Sequence, residues 1–214
     1  MKYEAFIFDL DGVLVSTDNC HYEAWKQLAD EEGIYFDRKI NERLRGVSRL
    51  ESLNIILERA EKEYQEDEKL EMATRKNGYY VEKVKKIDAS AQLPGALSFV
   101  RAAKALGIKV AIGSSSKNTK LILNQVGAID EFDAIADGND IKNSKPAPDV
   151  FLTAAKKLGI APELCMVIED ADAGVEAAIA ARMDVLAVGS ASTNEKATYK
   201  SADLASITPE ELNK

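Results

Sequence analysis

Two aspartates separated by one residue follow a short apolar run near the start of the chain. The run is Ala5 to Phe8, and Asp9, Leu10, Asp11 and Gly12 come directly after it. It predicts a buried strand of a parallel sheet, because such strands are covered on both faces. Side chains two residues apart lie on the same face of an extended chain, so both carboxylates can point into one site at the end of the strand. The alternative is a pair of solvated loop acids.

A divalent cation is the simplest group that would offset the charge of Asp9 and Asp11. Two carboxylates this close destabilise each other unless a cation or a shared proton offsets their charge. Gly12 lets the backbone turn sharply just after them. The beginning of the chain therefore predicts a metal-compatible acidic site at the end of a strand.

Composition narrows the class of protein. Of the 214 residues, 46% are hydrophobic, which suffices for one substantial core and a second small one. The formal net charge of −8 disfavours nucleic acid and anionic membranes as partners, because proteins that bind phosphate backbones carry a basic face. Any phosphate group is therefore expected to be bound locally.

The two cysteines and the N-terminal residues predict the cellular compartment of the protein. Cys20 and Cys165 are far apart and lack the spacing of a metal site, so we expect inert thiols in a reducing compartment and a cytoplasmic protein. The acidic residues Glu4 and Asp9 interrupt the apolar sequence near the N-terminus, and we expect no signal peptide. No stretch approaches the ~18 apolar residues of a membrane span.

The first part of the chain has a helical pattern, and the remainder alternates helix and strand. Asp18 to Glu32 is predicted as a helix that ends at Gly33, and the charged stretch 61–86 as two solvated helices. The small-residue, Pro-Gly stretch 88–95 is typical of a linker. Strands are then predicted at 109–113, 134–136, 165–168 and 185–188, with helices between them. This alternation predicts an α/β fold with a Rossmann-like, doubly wound parallel sheet.

Two features of the helical part permit two interpretations each. His21, the only histidine, is either a hydrogen-bonding group near a hinge or an amphipathic surface residue. Three arginines surround Gly46 in the stretch 43–49, just before a helix that Ser48 and Glu51 would begin with a capping box. Backbone N–H groups, the helix dipole and guanidinium groups make this loop a candidate anion site, which we favour over an exposed basic loop.

Polar and charged residues also follow later strands. Ser114 to Asn118 places hydroxyls and a lysine before a helix, a pattern suited to phosphate binding but also to ordinary helix capping. Lys145 precedes two prolines that stiffen its loop, although a solvated surface lysine is the alternative. Glu169 and Asp170 form a second acidic pair at a strand end. Because parallel sheets bind ligands at the carboxyl ends of their strands, these groups can converge with the first acidic pair.

Successive βα loops with an acidic pair, a hydroxyl, a lysine and a second acidic pair favour phosphoryl transfer assisted by a divalent cation. Mg²⁺ takes oxygen ligands, commonly a few carboxylates together with substrate phosphate and water. Asp9 would attack phosphorus to form an aspartyl phosphate, and Asp11 would protonate the leaving oxygen and deprotonate the attacking group. Ser114 and Lys145 would hold the phosphoryl oxygens. The candidate metal ligands are Asp9, Asp11, Glu169 and Asp170.

The same residues resemble the haloacid dehalogenase (HAD) superfamily, in which Asp-x-Asp-Gly is followed by Ser or Thr, then Lys, then an acidic pair. The resemblance covers the whole chain. It implies an HAD-like α/β core over residues 1–15 and 92–214. It also implies a small helical cap domain over residues 16–91, inserted after the first strand and closing over the active site.

Shorter segments are similar to the β-phosphoglucomutase family of that superfamily. A cap loop there reads Lys or Arg, then Gly-Val-Ser-Arg, and a core loop reads Ser-x-Ser-Lys-Asn; residues 45–49 and 114–118 match them. The resemblance implies a Mg²⁺-dependent isomerase that interconverts β-D-glucose 1-phosphate and glucose 6-phosphate, with glucose 1,6-bisphosphate as intermediate and activator. It implies a cis peptide bond between Lys145 and Pro146. Some members carry Lys in place of Arg45 and Ala in place of Ser115.

The resemblance also assigns roles to individual residues. Ser114 and Lys145 would hold the transferring phosphate, while Thr17 and His21 would serve the hinge and position the acid/base. A second phosphate, held without reacting, would be bound by Arg49, Ser116, Lys117 and Asn118. The remaining substrate-binding candidates are Arg45, Gly46, Val47, Ser48, Trp25, Lys76, Asn77 and Ser115. The local pattern around Lys76 by itself indicates only a solvated helix face.

Two other functions stay open at this point. A phosphatase of the same superfamily acting on small sugar phosphates would share every core residue and differ in how well water is excluded. A sugar-phosphate-binding protein without catalysis is disfavoured, because both Asp9 and Asp11 are present. We expect a small-molecule sugar phosphate as partner and neither nucleic acid nor membrane. We also expect a monomer, since no heptad or strand-edge pattern indicates assembly.

Overall fold

The computed structural model describes residues 2–44 and 47–213. The chain divides into two compact units: Met1–Ser16 together with Asp88–Lys214, and Thr17–Ile87. The first unit contains all the strands of the described residues, and the second is helical. The interpretation of residues 16–91 as a cap domain that closes over an active site stays a prediction.

Six strands, nine α-helices and four short 3₁₀ helices lie within the described residues. The strands are β1 (Ala5–Phe8), β2 (Lys109–Gly113), β3 (Ala134–Ala136), β4 (Cys165–Glu169), β5 (Asp184–Ala187) and β6 (Tyr199–Lys200). The α-helices of the second unit are α1 (Asp18–Glu31), α2 (Arg38–Glu42), α3 (Arg49–Leu57) and α4 (Glu66–Val84). Those of the first unit are α5 (Ala96–Ala105), α6 (Thr119–Gln125), α7 (Asp149–Leu158), α8 (Asp172–Ala180) and α9 (Pro209–Leu212). The 3₁₀ helices are Ala89–Ala91, Ile129–Glu131, Pro162–Leu164 and Gly189–Thr193.

All six strands are parallel, in the order β3-β2-β1-β4-β5-β6. The order reverses at β1, whose Phe6 is in register with Val110 of β2 on one side and Met166 of β4 on the other. The predicted doubly wound α/β fold is therefore confirmed. Such sheets bind ligands at the carboxyl ends of the strands where the order reverses.

The central strand is covered on both faces, as its unbroken apolar run predicts. Ala5 and Ile7 belong to the same buried cluster as Phe151 of α7 and Val175 of α8. Phe6 points to the opposite face because side chains alternate along a strand, and its ring lies 5.9 Å from that of Phe99 in α5. The two hydrocarbon layers fix the strand and hence the position of the residues just beyond Phe8.

The second unit has a separate core built by its own helices. Trp25 and Leu28 of α1, Leu53 of α3 and Met72 of α4 are buried in one cluster. Spacings of three and four residues put these side chains on the inner faces of the helices. The unit thus packs around its own apolar cluster.

The prediction of two solvated helices over residues 61–86 is wrong. A single helix, α4, begins after Gln65, which forms a reciprocal capping box with Glu68. It continues through Gly78, although a glycine in a helix interior costs roughly 1 kcal/mol relative to alanine. One face of the helix is buried, and this face includes a lysine: Met72, Ala73, Lys76, Tyr80 and Val84. Packing of that face keeps the helix continuous.

Among the described residues, no helix has the length and apolar character needed to cross a membrane.

Candidate active site

Three loops at one end of the sheet bring charged and hydroxyl side chains together. Asp9 directly follows β1, and its backbone N–H donates to the carbonyl of Ile168 at 2.9 Å, which continues the pairing of β1 with β4. Ser114 directly follows β2, and Glu169 is the last residue of β4. Asp9, Ser114 and Glu169 are 8%, 4% and 2% exposed. Asp9 is therefore not a solvated loop acid.

Lys145 joins the two acidic pairs. Its Nζ donates to an oxygen of Asp9 and, at 2.7 Å, to Oε1 of Glu169. Its side chain is only 9% exposed, and Nζ lies 4.6 Å from the ring centre of Phe151. Lys145 is therefore not a solvated surface lysine. The peptide bond between Lys145 and Pro146 is cis, as the resemblance implied.

The carboxylates of Asp9, Glu169 and Asp170, here called the acid group, fit a divalent cation. One oxygen from each of Asp9, Glu169 and Asp170 lies within 4.8 Å of the others. Three carboxylates here face the single ammonium of Lys145, so a bound dication would neutralise the excess negative charge. Oxygen donors of this kind suit a hard cation such as Mg²⁺. Asp11, the fourth predicted ligand, is half-buried and is not one of these three residues.

Burial dominates the proton affinity of the acid group. Burial raises the pKa of Asp9 to about 7; the charge of Lys145 opposes this shift, and those of Glu169 and Asp11 add to it. Burial and the neighbouring carboxylates raise the pKa of Asp170 to about 8. Burial alone would lower the pKa of Lys145, but the charges of Asp9 and Glu169 outweigh it and raise that pKa.

Two glycines leave the space that the second acidic pair occupies. A Cβ atom on Gly12, where φ is +90°, would lie 2.0 Å from Oδ2 of Asp170. A Cβ atom on Gly174, in the first turn of α8, would lie 1.8 Å from Oε1 of Glu169. The sequence indicates the turn at Gly12. The role of Gly174 was missed, although a glycine soon after an acidic pair is a usable signal.

The loop after β2 is organised by its own hydroxyl groups. Oγ of Ser114 accepts from the backbone N–H of Ser116 at 3.2 Å, and Oγ of Ser116 accepts from that of Asn118 at 3.2 Å. A hydroxyl that accepts a hydrogen bond can also donate one. Within the part of the chain that the structure describes, Oγ of Ser115 is buried and has no hydrogen-bond partner. Lys117 is exposed.

A neighbouring turn that sequence analysis did not identify supports this loop. The backbone N–H of Gly138 donates to the carbonyl of Ser116 at 3.1 Å, and Nδ2 of Asn139 donates to the carbonyl of Lys117 at 3.1 Å. A Cβ atom on Gly138 would lie 2.3 Å from the carbonyl oxygen of Ser115. The turn and the hydroxyl loop are thus fitted to each other.

The second unit gathers its own set of predicted residues. Nζ of Lys76 lies 3.0 Å from Nδ1 of His21 and 4.5 Å from the ring centre of Trp25. Lys76 is 2% exposed, so it does not belong to a solvated helix face. Burial of the ring and the charges of Lys76 and Arg49 hold the pKa of His21 well below its usual range. His21 is half-buried, and its contact with Lys76 makes it a hydrogen-bonding group.

The predicted basic loop is only partly described. Arg45 and Gly46 lie outside the described residues. Arg43 forms two hydrogen bonds of 2.7 and 2.8 Å with Glu58, while Arg49 is half-buried at the start of α3. Oγ of Ser48 accepts from the backbone N–H of Glu51 at 3.3 Å, which is one half of the predicted capping box. Val47 and Asn77 are also half-buried.

Comparisons with known proteins agree with this architecture. A family model described as haloacid dehalogenase-like hydrolase matches residues 3–182. The chain belongs to the haloacid dehalogenase-like hydrolase family.

Within this HAD-like family the chain has relatives of more than one kind. It is 44% identical to a β-phosphoglucomutase of Bacillus subtilis (strain 168), over 87% of this chain and 83% of the relative. A crystal structure of a β-phosphoglucomutase from Clostridium difficile matches with a TM-score of 0.90 and 42% identity, over 99% of this chain and 96% of the other. A phosphorylated carbohydrates phosphatase of Thermotoga maritima is 30% identical, over 98% of this chain and 96% of the relative.

Proposed function

We propose that the protein is a Mg²⁺-dependent β-phosphoglucomutase, an isomerase that interconverts β-D-glucose 1-phosphate and glucose 6-phosphate. One observation carries the chemistry: Asp9 lies buried at the end of the central strand, bonded to Lys145 and beside Glu169 and Asp170. The choice of sugar phosphate rests on the 44% identity to the Bacillus subtilis β-phosphoglucomutase.

Asp9 is the proposed nucleophile. Its carboxylate oxygen attacks the phosphorus of β-glucose 1,6-bisphosphate, and the bond between phosphorus and the sugar oxygen breaks as the aspartyl phosphate forms. Asp11 gives a proton to the departing sugar oxygen. In the opposite direction Asp11 takes the proton of the attacking sugar hydroxyl, which receives the phosphoryl group from Asp9. Phosphoryl transfer at one end of the sugar and then at the other converts the 1-phosphate into the 6-phosphate, or the reverse.

Lys145 and Ser114 are proposed to bind the oxygens of the transferring group. An ammonium already fixed by two carboxylates needs little reorganisation as charge develops on those oxygens. Asp9, Glu169 and Asp170 would hold Mg²⁺, which when bound supplies positive charge to the phosphoryl oxygens. Gly12 and Gly174 keep space for the two acids of the second pair.

A mutase has to hold a phosphate that does not react as well as one that does. We assign the nonreacting phosphate to Arg49, Ser116, Lys117 and Asn118, and binding of the sugar to residues that include Trp25, Lys76 and Asn77. Thr17 and His21 are proposed to position the acid/base. These assignments draw on the resemblance of the loops 45–49 and 114–118 to β-phosphoglucomutases.

The direct test is ³¹P NMR of the enzyme with β-glucose 1-phosphate, Mg²⁺ and a trace of glucose 1,6-bisphosphate. We expect glucose 6-phosphate to accumulate with little inorganic phosphate. Omission of Mg²⁺ or of the bisphosphate should each slow the reaction. Silence with all components present would contradict the proposal.

A phosphatase is the second candidate, and the 30% identity to the Thermotoga maritima phosphatase over nearly the whole chain favours it. It would use the same aspartyl phosphate and transfer the phosphoryl group to water. The same ³¹P spectra separate the two functions, because a phosphatase would release inorganic phosphate without forming glucose 6-phosphate.

The proposal includes a monomeric enzyme that acts in the cytoplasm on a small-molecule substrate. Among the described residues, Cys20 and Cys165 form no disulfide bond, which suits a reducing compartment. Light scattering coupled to size-exclusion chromatography measures the mass of the particle, for which we expect about one chain of 23.4 kDa.

A further inference from the structure

Tyr80 lies at the centre of a buried cluster in the second unit. It is 2% exposed, and its Oη lies 3.0 Å from Oγ1 of Thr17. Its ring centre lies 4.1 Å from that of His21, with 32° between the planes. Nζ of Lys76 lies 5.0 Å from the same ring centre. One side chain of α4 therefore contacts three residues to which the proposed function assigns roles.

The hydrogen bond between Lys76 and His21 specifies a tautomer. A charged lysine can only donate hydrogen bonds, so with Lys76 as an ammonium ion the Nδ1 atom of His21, 3.0 Å away, is the acceptor. A neutral imidazole that accepts at Nδ1 carries its proton on Nε2. His21 thus offers an N–H donor at the far side of its ring, provided that the ring keeps its plane.

We infer that Tyr80 is a positioning residue of the proposed reaction. Its ring fixes the plane of the His21 imidazole, and its hydroxyl fixes the position of the Thr17 hydroxyl. Thr17 is the first residue of the second unit and precedes α1 directly. The inference rests on the proposed function, because Thr17 and His21 matter to turnover only if they position the acid/base. The sequence did not indicate Tyr80, since it lies in a charged stretch.

Two substitutions separate the hydroxyl from the ring. Tyr80→Phe keeps the ring and removes the bond to Thr17, whereas Tyr80→Leu removes both. Tyr79→Phe is the matched control, because Tyr79 is the adjacent residue of α4 and its hydroxyl donates to Glu31 at 2.7 Å, away from this cluster. Urea unfolding of each variant provides the fraction of folded protein by which rates are corrected.

The spectroscopic measurement is the ¹H–¹⁵N correlation spectrum of the imidazole nitrogens. The chain contains one histidine, so the spectrum reports His21 alone. The wild type should show a neutral ring with the proton on Nε2. Tyr80→Phe should keep this pattern, and Tyr80→Leu should give a mixture of tautomers. Tyr79→Phe should match the wild type.

The kinetic measurement is kcat and KM for β-glucose 1-phosphate. Loss of one buried hydrogen bond in Tyr80→Phe should lower kcat by about three- to tenfold with KM little changed. Tyr80→Leu should lower kcat further, and Tyr79→Phe should leave it unchanged. If the wild type forms no glucose 6-phosphate, the proposed function is wrong, but the imidazole spectrum still reports the effect of Tyr80 on His21. Failure of the proposed function and failure of the inference about Tyr80 are therefore distinguishable.

Three results would overturn the inference. The first is a wild-type spectrum with the His21 proton on Nδ1 or on both nitrogens. The second is a wild-type tautomer pattern in folded Tyr80→Leu. The third is a Tyr80→Phe variant whose kcat per folded molecule equals that of Tyr79→Phe, because the Tyr80 hydroxyl would then serve packing alone. The comparison of Tyr80→Phe with Tyr79→Phe is decisive even when Tyr80→Leu does not fold.

Discussion

Lys145 in the first unit and Lys76 in the second are both withdrawn from water, but their surroundings differ. Nζ of Lys145 contacts the carboxylates of Asp9 and Glu169. Nζ of Lys76 contacts Nδ1 of His21 and lies over the rings of Trp25 and Tyr80. The first environment is that of a strong ion pair, and the second combines a neutral acceptor with ring faces. Burial of a lysine therefore does not by itself define its role.

The different environments of Lys145 and Lys76 suggest different roles. Lys145 is bound by groups that also suit a metal, so its charge is fixed in place for a reacting phosphoryl group. Lys76 contacts a ring nitrogen of His21 and the faces of two aromatic rings, which are groups without a formal negative charge.

Asp9→Asn should reduce kcat by at least about 10⁴-fold, because an amide oxygen is a poor nucleophile and cannot form the aspartyl phosphate. The side chains have nearly the same shape, so circular dichroism should show an unchanged fold. Undiminished turnover in this variant would rule out the covalent mechanism.

Lys145→Met should destabilise the metal-free protein far more than Lys76→Met. Removal of Lys145 leaves the buried carboxylates of Asp9 and Glu169 without their cation, which should cost about 3 kcal/mol in the free energy of unfolding. The loss in Lys76→Met should stay below about 1 kcal/mol, since its ring neighbours tolerate an apolar side chain. Urea unfolding at pH 8 with EDTA measures both, and equal losses would remove the contrast between the two lysines.

The stability of the metal-free protein should fall as pH rises from roughly 5 to 8. The pKa values of Asp9 and Asp170, about 7 and about 8, lie above their unfolded values, so the folded state binds more protons in this range. The free energy of unfolding then decreases with pH, and the stabilisation present at low pH is lost through these pKa values. Saturating Mg²⁺ should weaken this dependence. A stability that rises over the same range without metal would contradict the burial of these acids.

Two helical glycines provide the smallest and most local comparison. Gly174→Ala should weaken Mg²⁺ binding at least about tenfold, because the new Cβ atom would displace Glu169. In Gly78→Ala the new Cβ atom meets no atom of the described residues within 4 Å beyond its chain neighbours and the backbone of α4, so the substitution should stabilise the protein by about 0.5–1 kcal/mol. Calorimetric titration with Mg²⁺ and urea unfolding give the two quantities. Equal Mg²⁺ affinity in both variants would remove the proposed function of Gly174.

The sequence was informative where the structure depends on local pattern. Unbroken apolar runs predicted β1, β2 and β3 with their bounds, and β4 and β5 within one residue. β6 was missed because it consists of Tyr199 and Lys200 alone, too short for a periodic signal. The parallel arrangement then brings Lys145 and the two acidic pairs to one sheet edge.

The missed features depend on contacts between distant residues. The burial of Lys76 and Tyr80 follows from packing of α4 against α1, which the charged letters around them conceal. Gly174 matters because α8 passes close to Glu169, a distance that no local pattern encodes. The sequence shows the types of these residues but does not show which distant residues they contact.

The central claim is that Asp9 accepts the phosphoryl group. The most direct measurement is to quench the enzyme after mixing it with glucose 1,6-bisphosphate labelled with ³²P, and to reduce the acyl phosphate with borohydride. Peptide mass spectrometry then locates the modified residue. We expect homoserine at position 9 and its loss in Asp9→Asn. Label at another residue, or none during active turnover, would contradict it.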